Sequence, residues 1–180
     1  MHIKETFING LYVLEPKVFH DKRGYFLESY NKKNIENFIS VNFIQDNESL
    51  SQKNVLRGLH FQKPPYAQDK LVRVIKGSVL DVVVDLRKNQ PTYGKHFAIK
   101  LSAKNKKQLF VPKGFAHGFL TLKKNTIFSY KCSAYYHTAS EETMHCFDKD
   151  LGIDWKVKDV ILSDKDKNGI NFNTFESPFL

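Results

Sequence analysis

Residues 54–79 read NVLRGLHFQKPPYAQDKLVRVIKGSV: two apolar runs on either side of a Lys63-Pro64-Pro65 turn. Among the apolar residues stand Arg57, His60, Gln62, Gln68, Lys70 and Arg73. A strand that hides one face and wets the other does not need so many hydrogen-bonding heads at core positions. A small β-barrel does, if its mouth holds a polar ligand. Every second residue then points inward, and near the mouth the inward positions turn polar. The stretch predicts a cavity lined by those heads, with Leu59, Phe61 and Leu71 facing an outer packing layer. Strict alternation puts Arg57 and His60 on opposite faces, and Gly58 is the residue that lets the chain bend between them.

The flanking sequence supports a β fold. VLDVVVDL places Leu80, Val82, Val84 and Leu86 on one side, and HFAIKL does the same with Phe97, Ile99 and Leu101. TIFSYKCSAYY puts Phe128, Tyr130, Cys132, Ala134 and Tyr136 on one face if it stays regular. Turns at Lys76-Gly77, Asn89-Gln90-Pro91 and Lys113-Gly114 separate the runs. Many short strands at this spacing predict a mainly β, antiparallel sandwich or barrel in a single domain, residues 1–180. Helices are minor: one over Asn34 to Ser40, and one opening at Ser163, where Ser163-Asp164-Lys165-Asp166 resembles a capping box and begins a helical tail over about 160–180.

Composition narrows the classes. With 41% hydrophobic residues, 15 Phe and 8 Tyr, the chain can bury a real core. No apolar run reaches the roughly 18 residues a membrane span requires, and the start shows no signal-peptide pattern. Two cysteines make no disulfide framework, and Cys132 in its apolar run reads as a reduced core thiol. These features predict a cytoplasmic protein without a membrane partner. The net charge of +9 first suggests nucleic acid. The lysines are instead scattered through turns (Lys32-Lys33, Lys104, Lys106-Lys107, Lys123-Lys124), and neither a basic helix nor an RNA-binding aromatic motif is present, so nucleic acid is not the expected partner. The arginines are few, several of them sit inside apolar segments, and they read as grips for a small anion.

VPKGFAHGF, residues 111–119, supplies a second cue. Its P-x-G-x-x-H spacing, ending at His117, is the second half of the cupin signature, which marks a double-stranded jelly roll. Metal-binding cupins carry H-x-H and a Glu in the first half, but here the corresponding place reads His60-Phe61-Gln62. One imidazole and one amide make a poor site for a divalent transition metal, so a cupin barrel without metal is expected. His60 then becomes a candidate general base. Lys70 can stabilise an oxyanion, and Arg57 and Arg73 can bind phosphates bidentately. Tyr130 can donate a proton from the opposite side of a substrate, and is equally readable as core packing. Asp166 fits two roles: partner of His60, or third helical position of the capping box.

Together these residues resemble the dTDP-4-dehydrorhamnose 3,5-epimerases, metal-free cupins that invert the carbons flanking a 4-keto group in nucleotide sugars. The likeness runs from about Phe7 to Asp166, through FHDKRGYFLESY, FIQDNESLSQKNVLRGLHFQ, AQDKLVRVIKGSVLDVVVDLR, PTYG, QLFVPKGFAHGF, YKCSAYY and ILSDKD. The resemblance implies a cupin-type jelly roll with a few short helices and no cofactor. It implies that His60 is the base, paired with Asp166, that Tyr130 is the acid on the other face of the sugar, and that Lys70 steadies the enolate oxygen. Arg57 and Gln45 would contact the diphosphate, with Asn47 beside them. Tyr136 would lie at the sugar–nucleotide end, and His117 would be a second pocket histidine. Phe19, Arg23 and Glu28 belong to an N-terminal segment, about residues 1–40, which the resemblance places over the nucleotide in the partner's site of a homodimer.

Three places depart from the family's pattern: Glu48 where His is common, Asp69 where Gly is common, and Cys146-Phe147 where Trp-Asn is usual. Asp69 would be a carboxylate neighbour of Lys70. A GDP-linked 4-keto-heptose epimerase for capsule and a single-carbon epimerase are alternatives within the family. A cupin 3,4-ketoisomerase and a non-catalytic nucleotide-sugar binding module stand outside it.

Overall fold

Val79, Val83 and Leu101 meet Val72, Leu109 and Phe128 in one buried layer, and that layer is the space between two antiparallel sheets. The computed structural model describes all 180 residues. Its first strands are β1 (His2–Glu5), β2 (Tyr12–Glu15), β3 (Val18–Asp21) and β4 (Gly24–Leu27), followed by a single helical turn, α1 (Lys32–Ile35). The frame continues through β5 (Gln45–Ser51), β6 (Leu56–Gln62), β7 (Lys70–Lys76) and β8 (Ser78–Asp85). It is completed by β9 (His96–Ser102), β10 (Gln108–Val111), β11 (Phe115–Thr121) and β12 (Thr126–Cys132). A short 3-10 turn precedes β13 (Glu141–Thr143), and α2 (Asp164–Lys167) lies near the C-terminus.

One sheet has the order β1-β2-β10-β7-β12-β5, and the other β13-β6-β11-β8-β9. This is the mainly β, cupin-type jelly roll that the sequence predicts. β8 shows how the layers arise. Val79 and Val83 enter the inter-sheet core, while Val82 and Val84 pack outward against Trp155, Leu151 and Phe179 of the C-terminal segment. Each such fully buried Val or Leu contributes ~1.5–3 kcal/mol. A strand buried on both faces reads as a continuous apolar run, and VLDVVVDL is one. Leu59 and Phe61 join the outer cluster as expected. Leu71 packs under Ile35 and Ile39 on the outside of the other sheet.

Two helix expectations are corrected. The first helix starts earlier and is shorter than Asn34–Ser40, because the Asn31 side chain caps it by accepting from the Lys33 N–H at 3.1 Å. The C-terminal tail is not helical beyond Lys167 apart from a 3-10 turn at Phe172–Thr174. Gly169 there runs so close to the neighbouring backbone that a Cβ would lie 2.6 Å from His145 N. Past it the chain is an irregular cover, with Phe172, Phe175 and Phe179 laid on the outer core.

β3 and β4 pair only with each other. This hairpin carries Phe19, Tyr25 and Phe26 at 51%, 56% and 69% exposure, which is unusual for side chains of that size. No helix is long and apolar enough to cross a membrane.

Candidate active site

The site begins with an irregularity in β6. Phe119 pairs with Arg57 and His117 with His60, so three steps along β6 oppose two along β11. That is a β-bulge. It puts Arg57 and His60 on the same face, with Leu56, Leu59 and Phe61 on the other. Gly58 makes it possible: its φ is +121°, and a Cβ there would lie 2.5 Å from the Gly118 Cα. The bend expected at Gly58 is this bulge.

His60 is held by a residue remote in sequence. Its Nε2 lies 2.5 Å from Asp166 Oδ1. The other carboxylate oxygen accepts from the Ser163 hydroxyl at 2.8 Å, and Ser163 Oγ accepts from the Asp166 N–H at 3.2 Å. The two roles open for Asp166 are therefore filled together: it completes the capping box of α2 and grips the imidazole. Burial pushes the Asp166 carboxyl upward, but the hydrogen bonds from His60 and Ser163 outweigh it and leave the group below the usual carboxylate range. An ionised Asp166 only accepts, so Nε2 carries a proton, and in the neutral imidazole the lone pair is on Nδ1.

The facing sheet supplies the other groups. Lys70 on β7 and Tyr130 on β12 point into the same space as His60. Burial lowers the Lys70 pKa, against the opposing influence of Cys132, Glu141 and Asp81. Burial raises that of Tyr130, which keeps its hydroxyl protonated. Gln45 and Asn47 on β5 complete this wall. Gln45 donates to Asn47 Oδ1 at 3.0 Å and accepts from the Tyr136 N–H at 3.1 Å. Asn47 donates to Cys132 Sγ at 3.6 Å. Cys132 is thus a buried free thiol, as expected, but at the back of the site wall.

Two adjoining lobes, about 280 and 310 Å³, share His60, Lys70, Tyr130, Tyr136 and Glu141. Arg57 and His117 line the second lobe. His117 Nε2 lies 3.0 and 3.1 Å from the two oxygens of Asp81, a fully buried carboxylate whose pKa burial pushes up. Both pocket histidines are therefore committed to carboxylates, and no group of three or more His, Cys, Asp or Glu side chains is gathered to hold a metal ion. A histidine on one sheet, facing a tyrosine and a buried lysine on the other, can remove a proton beside a carbonyl and return one from the opposite side.

The family model described as dTDP-4-dehydrorhamnose 3,5-epimerase matches residues 5–174. The chain belongs to the dTDP-4-dehydrorhamnose 3,5-epimerase family. It is a carbohydrate epimerase of the isomerase class. The Shigella flexneri dTDP-4-dehydrorhamnose 3,5-epimerase is 49% identical over 174 residues, 96% of each chain. The crystal structure of a Legionella pneumophila 3,5-epimerase in complex with dTDP-4-keto-L-rhamnose superposes with a TM-score of 0.93 at 46% identity, covering 97% of this chain and 94% of that one. A 3′-monoepimerase from Streptomyces bikiniensis in complex with dTDP-quinovose superposes at 0.89 with 30% identity, over 94% and 87% of the two chains.

Not every expected residue of this epimerase reaches the cavity. Arg73 lies on the outer face of its sheet beside Tyr25 and Lys106, because Lys70, Val72 and Val74 take the inward positions of β7. Arg57 lines the cavity but is exposed rather than buried, with its Nε donating to Ser51 Oγ at 3.1 Å. Phe19, Arg23 and Glu28 lie outside both lobes within one chain. Arg23 pairs with Asp21 in the hairpin turn, and Glu28 accepts from the Asn31 and Asn34 side chains beside α1. Asp69 turns away from Lys70. It accepts from the Ser133 hydroxyl at 2.7 Å and the Lys113 N–H at 3.1 Å, tying down the 111–114 turn.

Sequence reasoning missed Asp81, Glu141 and Lys165. Asp81 carried a signal, a charge inside an apolar run, whereas Glu141 and Lys165 sit in polar stretches with none.

Proposed function

We propose that this epimerase inverts C3 and C5 of dTDP-4-keto-6-deoxyglucose, working as a cytoplasmic homodimer. The placement of His60 and Tyr130 on facing sheets supports this reading most directly. Nδ1 of His60 takes the proton from the carbon beside the ketone. The Lys70 ammonium hydrogen-bonds the oxygen on which the negative charge collects, and burial makes it a stronger donor there. Tyr130 returns a proton from the other side of the ring, which a single base cannot do. Arg57 carries the diphosphate, beside Gln45 and Asn47. Tyr136 flanks the nucleotide end and His117 backs the sugar. The exposed aromatic hairpin supports the dimer: Phe19 and Arg23, with Glu28 behind them, would lie over the nucleotide in the partner's site.

Proton NMR in D2O tests the reaction. Deuterium is expected at both C3 and C5 of dTDP-4-keto-6-deoxyglucose, with inverted product. Exchange at one carbon would make this a mono-epimerase. Exchange only in a GDP-linked 4-keto-heptose would change the substrate, and no exchange in either would overturn the reading. Tyr130→Phe is expected to slow inversion at C5 by ~10²-fold while wash-in of deuterium persists. Equal loss of both would remove Tyr130 as the selective acid.

A further inference from the structure

Gln62 stands where a metal-binding cupin carries its second imidazole, and the proton transfers make no use of it. It lies two residues along β6 from His60, on the same face of the strand, and is only 5% exposed. A buried amide must find its partners, and those of Gln62 lie in two loops. Oε1 accepts from the His137 N–H at 2.9 Å. Nε2 donates to the Tyr135 carbonyl at 3.2 Å and to the Tyr66 carbonyl at 2.6 Å.

The Tyr135 carbonyl and the His137 N–H belong to the two peptide bonds on either side of Tyr136. The φ and ψ of a residue are the rotations between those two planes, so one side chain fixes the backbone of Tyr136. Gln45 accepts from the Tyr136 N–H at 3.1 Å, and the first of the two planes is thus held on both edges. Gln68 donates to the Ala134 carbonyl at 2.7 Å, and the His137 ring stacks on Tyr66 at 3.7 Å. Residues 134–136 make no backbone–backbone hydrogen bond of their own, and Tyr136 is 53% exposed. Neither a sheet ladder nor the core holds this segment, so its order comes from side chains.

We propose that Gln62 is a positioning residue that preorganises Tyr136 at the nucleotide end of the cavity, setting affinity for the dTDP group with little effect on proton transfer. The inference rests on the reading of Tyr136 as flanking the nucleotide. A ring already held in its bound direction binds without first losing the freedom of its loop. When the amide is removed, water takes its place on the exposed loop, so the loss falls on the order of the loop and not on the fold.

The test is Gln62→Met, which keeps the volume and removes the clamp. The dTDP Kd is read by calorimetry, and kcat and KM by deuterium wash-in with dTDP-4-keto-6-deoxyglucose. Kd and KM are both expected to rise ~10-fold while kcat stays within about 3-fold. In a Tyr136→Ala background, where there is no ring to place, Gln62→Met is expected to change the dTDP Kd by less than about 2-fold. If Gln62→Met does not fold, Gln62→Asn, whose amide falls a methylene short, is expected to give the same split. A fall in kcat with KM and Kd unchanged would overturn the proposal. Equal losses of dTDP affinity with and without the Tyr136 ring would also overturn it and leave Gln62 a purely structural role. Wild type that bound dTDP without exchanging deuterium would bring down the epimerase reading alone, since the dTDP affinities still decide the role of Gln62. Wild type that did not bind dTDP would overturn both.

Discussion

The cavity holds two histidine–aspartate pairs on neighbouring strands, with His60 and His117 directly opposite in register. They look alike and are built differently. Asp166 arrives from the start of a helical turn, already bound by Ser163, and stays below the usual carboxylate range. Asp81 lies in mid-strand with His117 as its hydrogen-bond partner and the Lys70 charge acting on it too, and burial still drives it the other way. The His60 side chain is 27% exposed, while that of His117 is 8% exposed and stacks on Phe128. A base needs an ionised orienting carboxylate and an open face. The first pair combines a lowered carboxylate with the more open imidazole, which supports His60 as the base and His117 as a wall of the cavity.

The sharpest way to break this distinction is to remove each imidazole. His60→Asn is expected to lower deuterium wash-in by ~10³-fold or more, against ~10-fold for His117→Asn. Comparable losses would mean that the two histidines share the proton. Next in size is the orienting group. Asp166→Asn is expected to cost ~10²–10⁴-fold, because an amide can favour the wrong tautomer of His60, whereas Asp81→Asn should stay within ~10-fold. Initial rates with the same substrate decide it.

The smallest effect is in stability, where the two carboxylates predict opposite slopes. A lowered folded pKa, as at Asp166, contributes stability above the unfolded value, and that contribution is lost as pH falls through the folded one. A raised folded pKa, as at Asp81, contributes on the acid side and is lost as pH rises. Between about pH 3 and pH 7, the melting-temperature gap between wild type and Asp166→Asn should widen with pH, and the gap to Asp81→Asn should narrow. Parallel slopes would contradict the assignment of two different environments.

Much of this was legible in the sequence. The alternation in HFAIKL gave Phe97, Ile99 and Leu101 facing inward while Ala98 and Lys100 stay exposed. The motifs around His60, Lys70 and Tyr130 carried the chemistry, and all three residues share one cavity. Arg73 was misplaced although parity with Lys70 already put it on the other face; its charge was weighed above its position. Asp81 went unnoticed because only one side of VLDVVVDL was read, and the side left unread faces the cavity. Phe19, Arg23 and Glu28 belong to a segment whose setting in one chain is local: a hairpin and the approach to α1. Periodicity within one chain carries no information about a second copy.

The bulge at Gly58 resembles an edge dislocation in a crystal, one extra unit wedged into an otherwise regular lattice. Above and below it β6 is in phase with its neighbours, and the defect alone accounts for the odd spacing between two inward side chains. Deleting one residue there would anneal the lattice and leave the imidazole still pointing inward. It would also draw His60 about 3.3 Å along the strand, away from an aspartate that now sits 2.5 Å from it. What the defect stores is thus an axial coordinate as well as a facing direction.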